Sequence, residues 1–237
     1  MSTPDTTRTG DLFVTGTDTG VGKTVVAAAL ARVRGAAYVK PVQSGAADGD
    51  DDASEVAWLA DVPTVVGPVI GPSLAPAVAL RLAGEELTAG ELLAVVDDAR
   101  DRHPDRPLVV EGAGGVTVEL GTDGTTCGTL AARLGLPVVV VARPGLGTLN
   151  HTVLTLAELD RLGLGCAGVV VSGYPPDPDL ATRTNLAELD RLSGGRLAGV
   201  VPRLDDLGPD ALADAATWFA ASLGGVGGPF GPPAGTP

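Results

Sequence analysis

Residues 12–33 read LFVTGTDTGVGKTVVAAALARV, an order that confines the chain to few folds. The apolar start reads as a strand and the alanine-rich run after Lys23 as a helix. GTDTGVGKT between them reads as the pattern G-x-x-x-x-G-K-[ST], in the place its chemistry requires. Gly16 and Gly22 let the backbone turn so that the N–H groups around Thr17, Asp18, Thr19, Gly20 and Val21 face one anion. The helix start at Lys23, Thr24 and Val25 adds its dipole. In this reading Lys23 neutralises the terminal phosphates and Thr24 offers its hydroxyl to Mg2+.

Five further β-rich apolar runs follow: AAYVK from Ala36, LVVEG from Leu108, VVVVA from Val138, GVVVS from Gly168 and GVVP from Gly199. They read as parallel strands buried on both faces. Amphipathic segments from Ala89, Asn150 and Leu180 read as crossover helices. The alternation predicts an α/β fold, a single-domain doubly wound and mostly parallel sheet flanked by helices. No linker divides the body, so one domain is expected over 11–223, with flexible tails at 1–10 and over the Gly/Pro-rich 224–237. LAELDRL occurs at both Leu156 and Leu186, which reads as shared helical composition and not as a repeat.

Composition excludes several classes of function. A formal net charge of −13 opposes nonspecific binding to nucleic acid or to an anionic membrane. No run approaches the roughly 18 apolar residues of a membrane span, and the N-terminus lacks a signal core, so a cytoplasmic protein is expected. Cys127 and Cys166 fit neither a disulfide framework nor a metal site and read as small buried residues. Two histidines, His103 and His151, make a zinc site improbable; His103 lies in a turn-like stretch where exposure is expected, and His151 reads as structural.

Three more positions carry chemistry. Glu111, expected at the C-terminal end of a buried strand, needs a partner and could serve a cation. DGDDDASEVAWL, from Asp48, offers carboxylates, most of them explained by solvation or helix capping. Lys40 ends the strand beside the loop, where a second cation could meet a substrate or a transferred phosphoryl group; an ordinary surface lysine is the simpler alternative.

The ordered set GTDTGVGKT, KPVQSG, DDDASE, VEGAGG and GTLNHT, spread from Leu12 to about Leu204, resembles the dethiobiotin synthetase family. The resemblance implies a P-loop NTPase-type fold and a ligase that closes a ureido ring in biotin biosynthesis. Its substrates there are 7,8-diaminopelargonic acid, CO2 or bicarbonate, and a nucleoside triphosphate, ATP by default, with Mg2+. It assigns carbamate and phosphoryl stabilisation to Lys40 and Lys23, and hydrogen bonds to the reactants to Thr19 and Ser44. Metal binding falls to Thr24, Asp52 and Glu111, with Asp52 chosen because it directly precedes the alanine of the family's DA pattern. Substrate contacts extend to Gly112. A homodimer is implied, with Gly147, Thr148, Leu149 and Asn150 of one subunit capping the substrate's carboxylate tail in the other. A helix N-terminus suits that role, although a plain N-cap would also explain Asn150. Ser73-led SLAPAVA resembles a segment lining the substrate pocket. Many members carry an asparagine after the strand matched by GVVVS to read the purine; here Ser172 and Gly173 follow, which leaves base preference open.

Two alternatives share the loop. An amidating ligase of the cobyrinic acid a,c-diamide synthase type would need a glutaminase with a nucleophilic cysteine, for which there is no room. A partitioning or positioning ATPase carries a signature lysine where this chain has Asp18.

Overall fold

The computed structural model describes residues 10–228. Nine strands run in chain order: β1 Leu12–Gly16, β2 Ala37–Lys40, β3 Gln43–Ser44, β4 Thr64–Val66, β5 Val69–Ile70, β6 Leu108–Gly115, β7 Val138–Ala142, β8 Cys166–Tyr174 and β9 Leu197–Pro202. Among the described residues the α-helices are α1 Lys23–Arg34, α2 Asp52–Ala60, α3 Pro76–Ala83, α4 Ala89–Arg102, α5 Cys127–Leu134, α6 Thr148–Arg161 and α7 Leu180–Leu192. Seven strands form one sheet in the order β4-β2-β6-β1-β7-β8-β9, every pairing parallel, while β3 and β5 form a separate two-stranded ribbon. The expected doubly wound α/β sheet is therefore present.

The strands of the main sheet are mostly apolar because alternate side chains enter two different cores. Leu12 and Val14 pack on the side of α1 and α2, and Phe13 packs on the other side; Val138 to Ala142 alternate in the same way. On the α1 side, residues Ala27 to Ala31 are fully buried, and the four alanines among them let the helix lie close against the sheet. Tyr38, Val56, Leu59, Trp218 and Phe219 complete that core. The opposite core draws on β6, β7, α4 and α5, with Leu92, Val96, Leu130 and Leu134 among its members.

The chain enters β1 in the middle of the sheet, builds β2 and β4 on one side, returns through β6 and then crosses to β7. The end of β1 is thus where strand order reverses, the place where open parallel sheets bind ligands. The sheet also contains a seventh strand, β4, whose three residues at an edge leave too little pattern to read. The β3–β5 ribbon, α3 and α5 were likewise not identified from periodicity. Glu111 is the fourth residue of β6 and not its last, although regular pairing with β1 shifts register immediately after it. Residues 224–227 hydrogen-bond through their backbone N–H groups to carbonyls between Ala216 and Ala221, so the stretch expected to be a tail from Gly224 begins tied to the body. The remaining tail expectations, over 1–9 and 229–237, lie outside the described residues.

Leu30 is fully buried on α1, away from the phosphate loop. Leu30→Ala should cost about 2–5 kcal/mol of unfolding free energy in urea titration, because the alanine-packed interface cannot collapse into the space. A loss under about 1 kcal/mol would show that the interface is not close-packed.

Candidate active site

The loop after β1 is shaped by its glycines. Counted from Gly16, five residues precede Gly22, not the four of the pattern it was read as, so Thr17 stands at the first glycine of the strict pattern. Thr17 is tolerated because its φ is not positive, and its N–H donates to Val141 O at 2.9 Å. Gly16 is still required: a Cβ there would lie 2.7 Å from Asp18 O and 2.9 Å from a Val21 methyl. Gly22, at φ 87°, is the N-cap of α1, and a Cβ on it would strike Ser172 Oγ. Val21 anchors the loop in the core, Lys23 Nζ donates to Asp18 O at 3.2 Å, and the Asp18 carboxylate pairs with Arg143.

Beside the loop lies a cluster of ionisable side chains. Lys40, 3% exposed, sits at the C-terminal end of β2, so the alternative of a surface lysine is set aside. Its ammonium is 2.5 Å from Asp52 Oδ2 and 2.9 Å from Glu111 Oε1, and it donates to Gly112 O at 3.1 Å. Thr24 Oγ1 donates to Glu111 Oε1 at 3.3 Å, and Tyr38 Oη donates to Glu111 Oε2 at 2.9 Å. Period-two geometry explains the gathering: Tyr38 and Lys40 share a face of β2, and Val109 and Glu111 share the same face of β6, all toward α1 and α2. Asp51 accepts from Ser54 N at 3.0 Å and caps α2, leaving Asp52 free to turn toward Lys40.

These groups perturb one another. Burial by itself lowers the Lys40 pKa, but Glu111 and Asp52 outweigh it and leave the group above the ordinary lysine value. Lys23 has the opposite balance: burial and the nearby Lys40 charge outweigh Glu111 and leave it below that value. Burial, and then the Glu111 charge, push Tyr38 well above 10, so its hydroxyl stays protonated. Burial also raises Glu55, with Asp52 and Glu111 adding to it. Cys127 is buried, donates to Ala113 O and is pushed up to about 11 by burial, in keeping with an inert residue. Cys166 is only partly buried, and His103 is half-buried as the C-cap of α4, not exposed as expected.

A cavity of about 740 Å3 opens on this cluster. Thr19, Gly20, Gly22, Lys23, Thr24, Val25, Lys40, Ser44, Asp52 and Glu111 all line it, so ten of the residues singled out from sequence converge there. Gln43, Glu55, Ser73 and Pro76, to which no individual role had been given, line it too. A second hollow, about 350 Å3, shares Gly20, Gly22 and Val25 with it and extends to Arg143, Ser172, Gly173 and Arg203. Gly147, Thr148, Leu149 and Asn150 line neither. Gly147, at φ 89°, is the N-cap of α6; Thr148 is buried and Asn150 is exposed on the first turn, so Asn150 is not the cap. Asp52 and Glu111 present carboxylate oxygens to the Lys40 ammonium and Thr24 its hydroxyl to Glu111 Oε1, three hard oxygen donors on one cavity wall that fit Mg2+.

The family model described as an AAA domain matches residues 10–211. A protein of Mycobacterium avium named ATP-dependent dethiobiotin synthetase BioD is 48% identical over 219 residues, covering 90% of this chain and 93% of the relative. One of the same name from Saccharopolyspora erythraea is 45% identical over 90% of this chain and 97% of its own length. This chain belongs to the ATP-dependent dethiobiotin synthetase family. Solved structures share its fold at far lower identity. The septum site-determining protein MinD from Pyrococcus horikoshii, complexed with Mg-ADP, has a TM-score of 0.53 at 15% identity, covering 90% of this chain and 94% of its own. A ParA family ATPase from Chlorobium tepidum has a TM-score of 0.52 at 12% identity, covering 87% and 88%. Among the described residues no helix is long and apolar enough to cross a membrane.

The depressed pKa of Lys23 has a measurable sign. A polyphosphate beside Nζ favours the charged form, so ADP affinity should be flat with pH while the free protein holds Lys23 protonated, and should fall as pH rises past its lowered pKa. In that alkaline window ADP binding should take up a proton, measurable by calorimetry in buffers of different ionisation enthalpy. Lys23→Arg, whose guanidinium does not titrate, should abolish the uptake.

Proposed function

We propose that this chain catalyses the ATP-dependent synthesis of dethiobiotin from 7,8-diaminopelargonic acid and CO2. The observation that carries the reading is the pairing of two lysines in one cavity: Lys23 on the phosphate loop, and Lys40 buried between Asp52 and Glu111 beside it. A nucleotide switch needs the first lysine; chemistry that brings two anions together calls for the second.

In the proposed reaction one amine of the substrate adds to CO2 and loses a proton, giving a carbamate. A carbamate oxygen attacks the γ-phosphorus as the bond to ADP breaks, forming a carbamic-phosphoric anhydride. The second amine then attacks the carbonyl carbon, phosphate leaves and the ureido ring closes. Lys40 and Lys23 hold the carbamate and the phosphoryl group against their mutual repulsion, while Thr19 and Ser44 orient them by hydrogen bonds. Thr24, Asp52 and Glu111 would hold Mg2+, which when bound neutralises charge on the triphosphate. Lys40 exchanging its carboxylate partners for the carbamate would free Asp52 and Glu111 for that role.

The hollow beside Ser172 and Gly173 is proposed to receive the base. Gly112 lines neither hollow, and its proposed contact with the substrate is supported only by the hydrogen bond that its carbonyl accepts from Lys40. Gly147, Thr148, Leu149 and Asn150 are proposed to cap the substrate's carboxylate tail in a partner subunit. Leu146, Val153 and Leu154 lie exposed around the start of α6, which supports a homodimer covering that face. A cytoplasmic location accords with this activity.

The test is incubation of the purified protein with 7,8-diaminopelargonic acid, bicarbonate, Mg2+ and ATP. Dethiobiotin and ADP should appear by mass spectrometry only when all four are present; absence of product with ATP, GTP and CTP alike would overturn the reading. Lys40→Ala should leave ADP binding nearly intact and lower turnover by about 10²-fold or more, since the contact is made chiefly in the transition state. Glu111→Gln should weaken the dependence on Mg2+, seen as a higher half-saturating concentration; an unchanged titration would remove Glu111 from the metal site.

A further inference from the structure

We propose that Tyr38 is a positioning residue that presents Glu111 to the cavity through one oxygen only, and thereby biases the cation site toward Mg2+ over larger divalent ions. The inference rests on the proposed Mg2+ site and assigns a role to a residue not placed in the reaction above.

The two oxygens of Glu111 have different surroundings. Oε1 meets Lys40 and Thr24, both on the wall of the cavity. Oε2 is turned into the core and accepts from the Tyr38 hydroxyl at 2.9 Å. Tyr38 is fully buried among Val26, Ala53, Val56 and Leu59 and does not line the cavity. For packing alone a phenylalanine would suffice in such surroundings. Among the described residues the hydroxyl is instead the one donor that reaches the inner oxygen, and a buried carboxylate oxygen without a donor is costly.

The consequence is a carboxylate fixed in orientation. With Oε2 engaged, Glu111 can serve a cation through Oε1 but is held back from gripping it with both oxygens. Mg2+ demands near-octahedral geometry with short bonds to single oxygens, whereas Ca2+ takes six to eight oxygens and accepts both from one carboxylate. A carboxylate held to one oxygen therefore favours Mg2+. Partners that hydrogen-bond a ligating group typically change metal affinity by about 10–100-fold when removed.

The test uses ADP binding to the whole chain, measured by calorimetry in EDTA, in Mg2+ and in Ca2+, with Tyr38→Phe beside the wild type. The variant should bind ADP in EDTA as the wild type does. The enhancement by Mg2+ should fall about tenfold, with a smaller loss for Ca2+, so that the preference between them narrows. Unchanged enhancement by both cations would overturn the proposal. So would an equal loss in EDTA, Mg2+ and Ca2+, which would mark Tyr38 as a packing residue only. A wild-type protein whose ADP affinity ignores both cations would overturn it together with the metal site. A second measurement does not depend on the variant folding. Infrared difference spectra on adding Mg2+ to the ADP-bound wild type, with Glu111→Gln identifying the relevant bands, should show the wide carboxylate splitting of one-oxygen ligation; the narrow splitting of two-oxygen ligation would overturn the assignment. Failure to form dethiobiotin leaves these readouts intact, because they report the cation site and not the ring closure.

Discussion

A buried ammonium holds the functional end of this molecule together. Lys40 has left water almost completely, and a lone charge in that position would be expelled or neutralised. It stays charged because Glu111 on the neighbouring strand and Asp52 at the start of α2 both reach it, more than offsetting the burial. That arrangement requires β2 beside β6, α2 aimed at the strand ends, and Asp51 as the cap so that Asp52 is released from that duty. Replacing one of the three partners disturbs the other two.

The sheet separates two tasks. Its α4–α5 face carries an apolar core, while its α1–α2 face carries, above an equally apolar base, the loop lysine and the Lys40 cluster. Both features stand at the C-terminal ends of strands where the winding reverses. Proteins of the MinD and ParA kinds share this frame, yet at identities of 15% and 12% they say nothing about the chemistry mounted on it. What this chain mounts on the frame is a buried ammonium with two counter-charges, Lys40 between Asp52 and Glu111, beside the loop lysine.

The parts of the fold that could be read in advance are those with redundant signals. β1, β6, β7 and β8 are continuous apolar runs, and α1 follows a glycine-rich loop. The edge strand Thr64–Val66, the two-residue strands of the ribbon and the short α5 hold too few residues for a period to register. Of the site, Lys23, Thr24, Lys40, Asp52 and Glu111 were legible because motif order singled them out. Tyr38 was visible only as a strand residue, although its position two before Lys40 placed it on the same face.

By itself the sequence determined that a strand, a phosphate-binding turn and a helix open the chain, that a parallel sheet follows, and which charged residues stand near strand ends. These are local matters: apolar runs, glycine spacing and caps act over a few residues. The tertiary structure decided which of those charges meet. Lys40 and Glu111 are 71 residues apart, and Tyr38 and Glu111 are 73 apart, so their pairing depends on strand order and register. It also decided that Gly147 to Asn150 stand outside the cavity of their own chain, because the helix they begin lies beyond β7 while the cluster lies on the β2–β6 side of β1.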